Sequence, residues 1–276
     1  MLQRAVAVAQ TLTMAFVLLA TEVASAQSTP AASLWQRTDS QHFEIYYPPA
    51  LAPRLEGVTR SAERAYDRIA GQLNLVWLPK VPLLVFTASA SMTSQATRAF
   101  LGSAPVAPWA DRAGDPPSHR SRLNLPLPED DAQLDAQIVH QLTHVLVSAL
   151  VWQDKIGNGG LPHWIGEGVA EYMVGVWPDE DVRQMRELVA SDDVPALSQL
   201  SGSGESTSPR VNNAIGHAAF DYIESRWGRD GIRLFLDAVI LPRISKTYDA
   251  VLGMTPQDFD SAFREYAVRR FGPAAR

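Results

Sequence analysis

Residues 132 to about 152 carry Ile138, Val139, Leu142, Val145 and Leu146 at positions that leave hardly any polar face on a helix. A helix that is apolar all round cannot sit on a surface; it has to be covered by other elements on most sides. Whatever this chain folds into is therefore built around that helix. The rest of the chain must supply the cover, and 276 residues, 46% of them apolar, are enough for one large domain with a substantial core.

The elements that could provide it can be read from periodicity. His42-Phe43-Glu44-Ile45-Tyr46-Tyr47 alternates and is aromatic, which predicts a strand stopped by Pro48-Pro49. Leu55, Val58, Ala62, Ala65, Tyr66, Ile69 and Leu73 recur at helical spacing and predict a helix from Leu51 to about Leu73. Val81 to Phe86 reads as a second strand. Arg120 to Leu127 reads as a third, near an edge because Pro126 lacks a ladder donor. After Glu129-Asp130-Asp131 the pattern turns helical, with Asp130 or Asp131 suited to cap the buried helix. Further helices are predicted at 163–176, 179–190, 212–227, 230–240 and 255–271, with a Gly-rich loop at 157–162 and a Ser/Gly-rich stretch at 201–209. Strands with one helix, followed by helices alone, give an α+β fold.

The first residues read differently. Arg4, the apolar run Leu12 to Ala20 and the small-x-small pattern Ala24-Ser25-Ala26 predict a signal peptide over 1–26, with Gln27 as the first mature residue. A leader over 27–34 and one domain over 35–276 would follow, its 35–155 part carrying the strands and the buried helix and its 156–276 part mainly helical. The expected location is periplasmic or secreted, with no membrane span left after cleavage. The absence of cysteine excludes disulfides, thiolate ligands and a cysteine nucleophile. A net charge of −6 without a basic run excludes the phosphate-neutralising surface of a nucleic-acid binder.

Chemistry concentrates on the buried helix and the one after it. His140 and His144 are four residues apart, which stacks two imidazoles on one face within reach of a single ion. Buried ring nitrogens need partners, and a metal ion would supply them. Glu167 and Glu171 repeat the spacing among Trp164, Ile165, Val169, Tyr172 and Met173, where unpaired carboxylates are costly. A helical hairpin would turn Glu167 toward the histidines. Two histidines, one glutamate and a position open to water form a common catalytic zinc set. Glu171, one turn on, could accept the free N–H of a ligand imidazole.

His140-Gln-Leu-Thr-His144, followed by Leu161-Pro-His-Trp-Ile-Gly-Glu167-Gly-Val-Ala-Glu171-Tyr172, resembles the gluzincin zinc metallopeptidases, in particular the peptidase-MA-like family of exported bacterial proteins. The resemblance covers about residues 35 to 270. It implies a zincin-like fold, with Zn2+ on His140, His144 and Glu167, Glu171 behind them, and the strand at 120–127 lying alongside a peptide or protein ligand. One departure is chemical. Where the family has its general-base glutamate, directly after the first histidine, this chain has Gln141. An amide can hydrogen-bond a water but cannot take its proton near neutral pH. The later helix also lacks the family's tyrosine near the oxyanion; Val211 to Phe220 offers Asn212, Asn213 and His217, and His217 is either an oxyanion or proton-donor substitute or a packed helix histidine. Three readings stay open: a zinc-retaining homologue with weak or no hydrolysis, an active zinc peptidase using another base or substrate assistance, and a domain that has lost metal as well.

Overall fold

The computed structural model describes residues 35–76, 78–87, 104–105, 107, 122–128, 130–153, 161–197, 200, 208–240 and 252–273. The expected signal peptide and leader, the start of the third strand, the Gly-rich loop from 157 to 160 and most of the Ser/Gly-rich stretch lie outside these residues. The architecture is mixed α+β and mostly helical. Four strands, β1 (Gln36–Asp39), β2 (Phe43–Tyr47), β3 (Val81–Thr87) and β4 (Leu123–Leu127), form one sheet in that order. Seven α-helices accompany it among the described residues: α1 (Leu55–Gln72), α2 (Asp131–Gln153), α3 (His163–Val174), α4 (Asp179–Ala190), α5 (Pro209–Trp227), α6 (Asp230–Ile240) and α7 (Pro256–Phe271).

β2, α1 and β3 make a β-α-β unit, since β2 and β3 are parallel with Phe43 opposite Val81 and Ile45 opposite Leu83. β4 continues the parallel run, with Leu83 opposite Leu123 and Val85 opposite Leu125. This register puts the side chains of Phe43, Ile45, Leu83, Val85, Leu123 and Leu125 in the main core, each fully buried. The opposite face of β3 is covered too, because Leu84 packs with Ala104, Trp35 and Tyr46. Burial on both faces explains why β3 reads as a continuous apolar run instead of an alternating one. β4 is an edge among the described strands, which suits Pro126.

β1 was not expected. It is exposed along its whole length, so no apolar alternation announces it; it forms by antiparallel pairing with β2, Gln36 opposite Tyr47 and Asp39 opposite Glu44. Arg37 bridges Asp39 and Glu44, and Lys80 reaches Asp39, so the edge is charged in the manner that discourages pairing with other chains. The helix expected from Leu51 starts with a 3-10 turn, Pro49–Arg54, because Pro53 lacks the N–H for an α-helical bond. Two later boundaries also move. α3 ends at Val174 because Gly175 turns left-handed at φ 78, before Pro178 is reached. α5 begins at Pro209, since Ser208 caps it by accepting the Val211 N–H and proline suits the first helical position.

α2 leaves β4 and runs through the middle of the molecule, its Ile138, Leu142, Val145, Leu146 and Ala149 fully buried. α1 and α3 pack directly against it, and α5 packs along α3. No helix among the described residues is long and apolar enough to cross a membrane.

Candidate metal centre

The packing of α3 on α5 decides where the acidic residues of α3 stand. The two helices cross at Gly168 and Gly216. A Cβ built on Gly216 would lie 2.2 Å from the Trp164 carbonyl oxygen and 2.7 Å from Gly168 Cα, so only glycine permits this approach. The crossing fixes the turn of α3 that carries Glu167, and another side of that turn meets α2. There His140 Nε2 and His144 Nε2 stand 3.2 Å apart. One Glu167 carboxylate oxygen lies 3.4 Å from His140 Nε2 and the other 3.4 Å from His144 Nε2. Glu171 Oε1 lies 3.7 Å from His140 Nδ1, on the far side of the ring.

The four side chains are largely shielded, with His144 7% exposed and His140 22%. Burial by itself raises the pKa of Glu167, but the imidazoles of His140 and His144 more than offset this and hold it well below the usual carboxylate range. An anionic carboxylate pressed against two ring nitrogens, each with a lone pair when neutral, is a site for positive charge. His140, His144 and Glu167 lie close enough together to hold a metal ion, their ligand atoms all within 4.8 Å of one another.

No model of a known protein family matches this chain, and a search of curated proteins also finds no match. The centre therefore rests on its own geometry.

The expected residues divide into three groups. His140, His144, Glu167 and Glu171 are brought together. Gln141 is half-buried on α2, next in the chain to His140. His217 stands in a different environment. It is 1% exposed on α5, its ring stacks on Trp177 at 3.8 Å between centroids, and its Nδ1 has no hydrogen-bond partner. Burial pushes its pKa down to about 4, so it is neutral at ordinary pH. His163 is exposed at the start of α3. Asp135, the nearest acid preceding the histidines on α2, is exposed and pairs with Arg64 at 3.5 Å.

Two features had no sequence signal strong enough to identify them. The Gly168–Gly216 crossing needs both helices to be seen in contact; in the sequence each glycine is only an unfavourable helix residue. His42 has no surrounding motif, yet its Nδ1 lies 2.6 Å from Glu63 Oε2, its own N–H donates to Glu63 Oε1, and its ring stacks on Tyr66. That pair ties the start of β2 to α1. It is a structural tether, since both carboxylate oxygens are occupied by one residue's backbone and ring.

Proposed function

We propose that this chain is an exported, zincin-like zinc protein related to the peptidase-MA-like gluzincins, which binds a peptide or protein at its metal centre and hydrolyses peptide bonds weakly or not at all. The observation that carries the metal half of this reading is the cluster of His140, His144 and Glu167. Tetrahedral zinc with ligand distances of about 2.0–2.1 Å needs its ligand atoms about 3.3–3.4 Å apart. In the protein the two Nε2 atoms are 3.2 Å apart and each is 3.4 Å from a different oxygen of Glu167, so the carboxylate straddles the imidazole pair at close to that spacing. The donor types, two imidazoles and a carboxylate, are those of catalytic zinc with a position left for water or a carbonyl.

Bound zinc would supply a Lewis acid that polarises a carbonyl and acidifies water. The protein's own contribution is to hold the donors and to manage protons. Glu171 Oε1, 3.7 Å from His140 Nδ1, would accept its N–H after a small side-chain shift, which would fix the tautomer that leaves Nε2 free as a ligand. Gln141 occupies the position at which the related peptidases keep a proton-accepting carboxylate. Its amide can orient a water by hydrogen bonding, but the proton has no acceptor there, and general-base catalysis is worth about 10²–10⁴-fold. Binding a carbonyl does not need that base, whereas turnover does.

Gln141→Glu on the zinc-loaded chain, assayed for cleavage of a peptide library, tests this division. The substitution is expected to create or raise chelator-sensitive hydrolysis by about 10²-fold or more. A zinc-loaded variant with an unchanged rate would show that Gln141 is not what limits turnover. Chelator-sensitive cleavage by the native chain at a rate the variant does not exceed would favour an active peptidase with another base.

A further inference from the structure

A ligand triangle shared between two helices depends on where one helix stands along the other. Apolar packing of α2 on α3 is non-directional and tolerates small slides, whereas metal–ligand distances tolerate only about 0.2 Å. A helix rises about 1.5 Å per residue, so a slide of α3 by a fraction of one residue would open the edges from Glu167 to both histidines. Something directional is needed to hold α3 lengthwise against the α2 side of the molecule.

Arg68 of α1 supplies a bond of that kind. Its Nη2 donates to the carbonyl oxygen of Met173 at 2.8 Å, 105 residues away in the chain. Met173 is in the last turn of α3, where carbonyls have no intrahelical partner. The Gly175 N–H takes the Tyr172 carbonyl, and Arg68 takes the next one. A guanidinium at a helix C-terminus is favoured by the helix dipole as well. Gln72, one turn further along α1, brings its amide nitrogen within 3.5 Å of the Tyr172 hydroxyl in the same turn of α3. At the other end, Arg54, immediately before α1, donates through Nη1 to the Pro128 carbonyl at 3.0 Å, where the chain is about to enter α2. One element thus grips the entry to the histidine helix and the exit from the glutamate helix.

We infer that Arg68 is a positioning residue for the metal centre, setting α3 so that Glu167 meets His140 and His144. The inference rests on the zinc reading above. It is tested by measuring zinc affinity, by competition with a chelator, and the visible absorption of the Co2+-loaded protein, for the native chain, Arg68→Met and Arg68→Lys. Arg68→Met keeps an unbranched stem and loses the donor. It is expected to weaken zinc binding about tenfold, as loss of a residue that orients metal ligands does, and to alter the cobalt bands. Arg68→Lys, which can still donate to the Met173 carbonyl, is expected to recover most of the affinity. Zinc affinity within twofold of native and unchanged cobalt bands in Arg68→Met would overturn the inference, even with a lowered melting temperature, because a tie that serves only the fold moves stability alone. If Arg68→Met does not fold, Arg68→Gln is read by the same two measurements and the same criteria. A native chain that binds neither metal would overturn both this inference and the zinc reading; native binding with an indifferent Arg68 would overturn this one only.

Discussion

The histidines of α2 and the histidine of α5 are both shielded from water, and the surroundings could hardly differ more. His140 and His144 face two carboxylates from α3, and their Nε2 atoms approach each other to 3.2 Å beside Glu167. His217 faces the indole of Trp177, whose N–H is already given to Asp221, and its own Nδ1 has no partner. One region gathers lone pairs and negative charge; the other buries a neutral ring as an aromatic plate. A buried histidine is therefore not in itself a site. What makes the first region one is the second helix, which brings a carboxylate within 3.4 Å of both imidazoles and a second one behind them. The two regions are also joined, because Gly216, adjacent to His217, presses on Gly168, adjacent to Glu167.

That junction is the place to break the comparison hardest. Gly216→Ala would drive a methyl group into the backbone of α3, which cannot swing aside as a side chain could. A loss of about 3 kcal/mol or more is expected, at the upper end for overpacking, read from denaturant midpoints. A variant as stable as native would mean that the helices do not cross this closely. An effect of similar size sharpens the contrast between the histidines. His217 goes from an ordinary 6.5 to about 4 on burial, so the unfolded chain takes up its proton first as pH falls. Its contribution to stability is complete above about pH 6.5 and is lost as pH falls through about 4, amounting to about 3 kcal/mol. His217→Phe should lack that slope, so the difference between native and variant stability changes with pH between about 6.5 and 4, while zinc affinity stays unchanged. Equal slopes in variant and native chain would show that His217 is not held neutral.

Much of this was legible in the sequence, for reasons that can be named. α2 and α3 are recognisable because His140 and His144, and Glu167 and Glu171, are spaced by four among apolar neighbours, and a helix converts that spacing into one face. β3 was recognisable as a strand only through its bounding residues, since burial on both sides erases alternation. β1 was not legible, because an exposed strand of Gln36, Arg37, Thr38 and Asp39 has no apolar pattern and exists by pairing with β2. The helix ends at Gly175 and Ser208 differ by a few residues from the expected bounds, because the left-handed turn at Gly175 precedes Pro178 and the cap at Ser208 lies inside a Ser/Gly-rich stretch. At the site, the ligand types could be read from spacing. The parts that hold them could not: Arg68, Arg54, Gly168 and Gly216 act across long sequence separations, where neither periodicity nor composition carries information.

The central claim is that two imidazoles and one carboxylate hold zinc. Metal content together with zinc K-edge X-ray absorption on the native chain tests it most directly. About one zinc per chain is expected, in a shell of about four nitrogen and oxygen ligands near 2.0–2.1 Å with the outer-shell scattering of two imidazoles. A chain that takes up no zinc, or zinc in a shell without imidazole scattering, would contradict it.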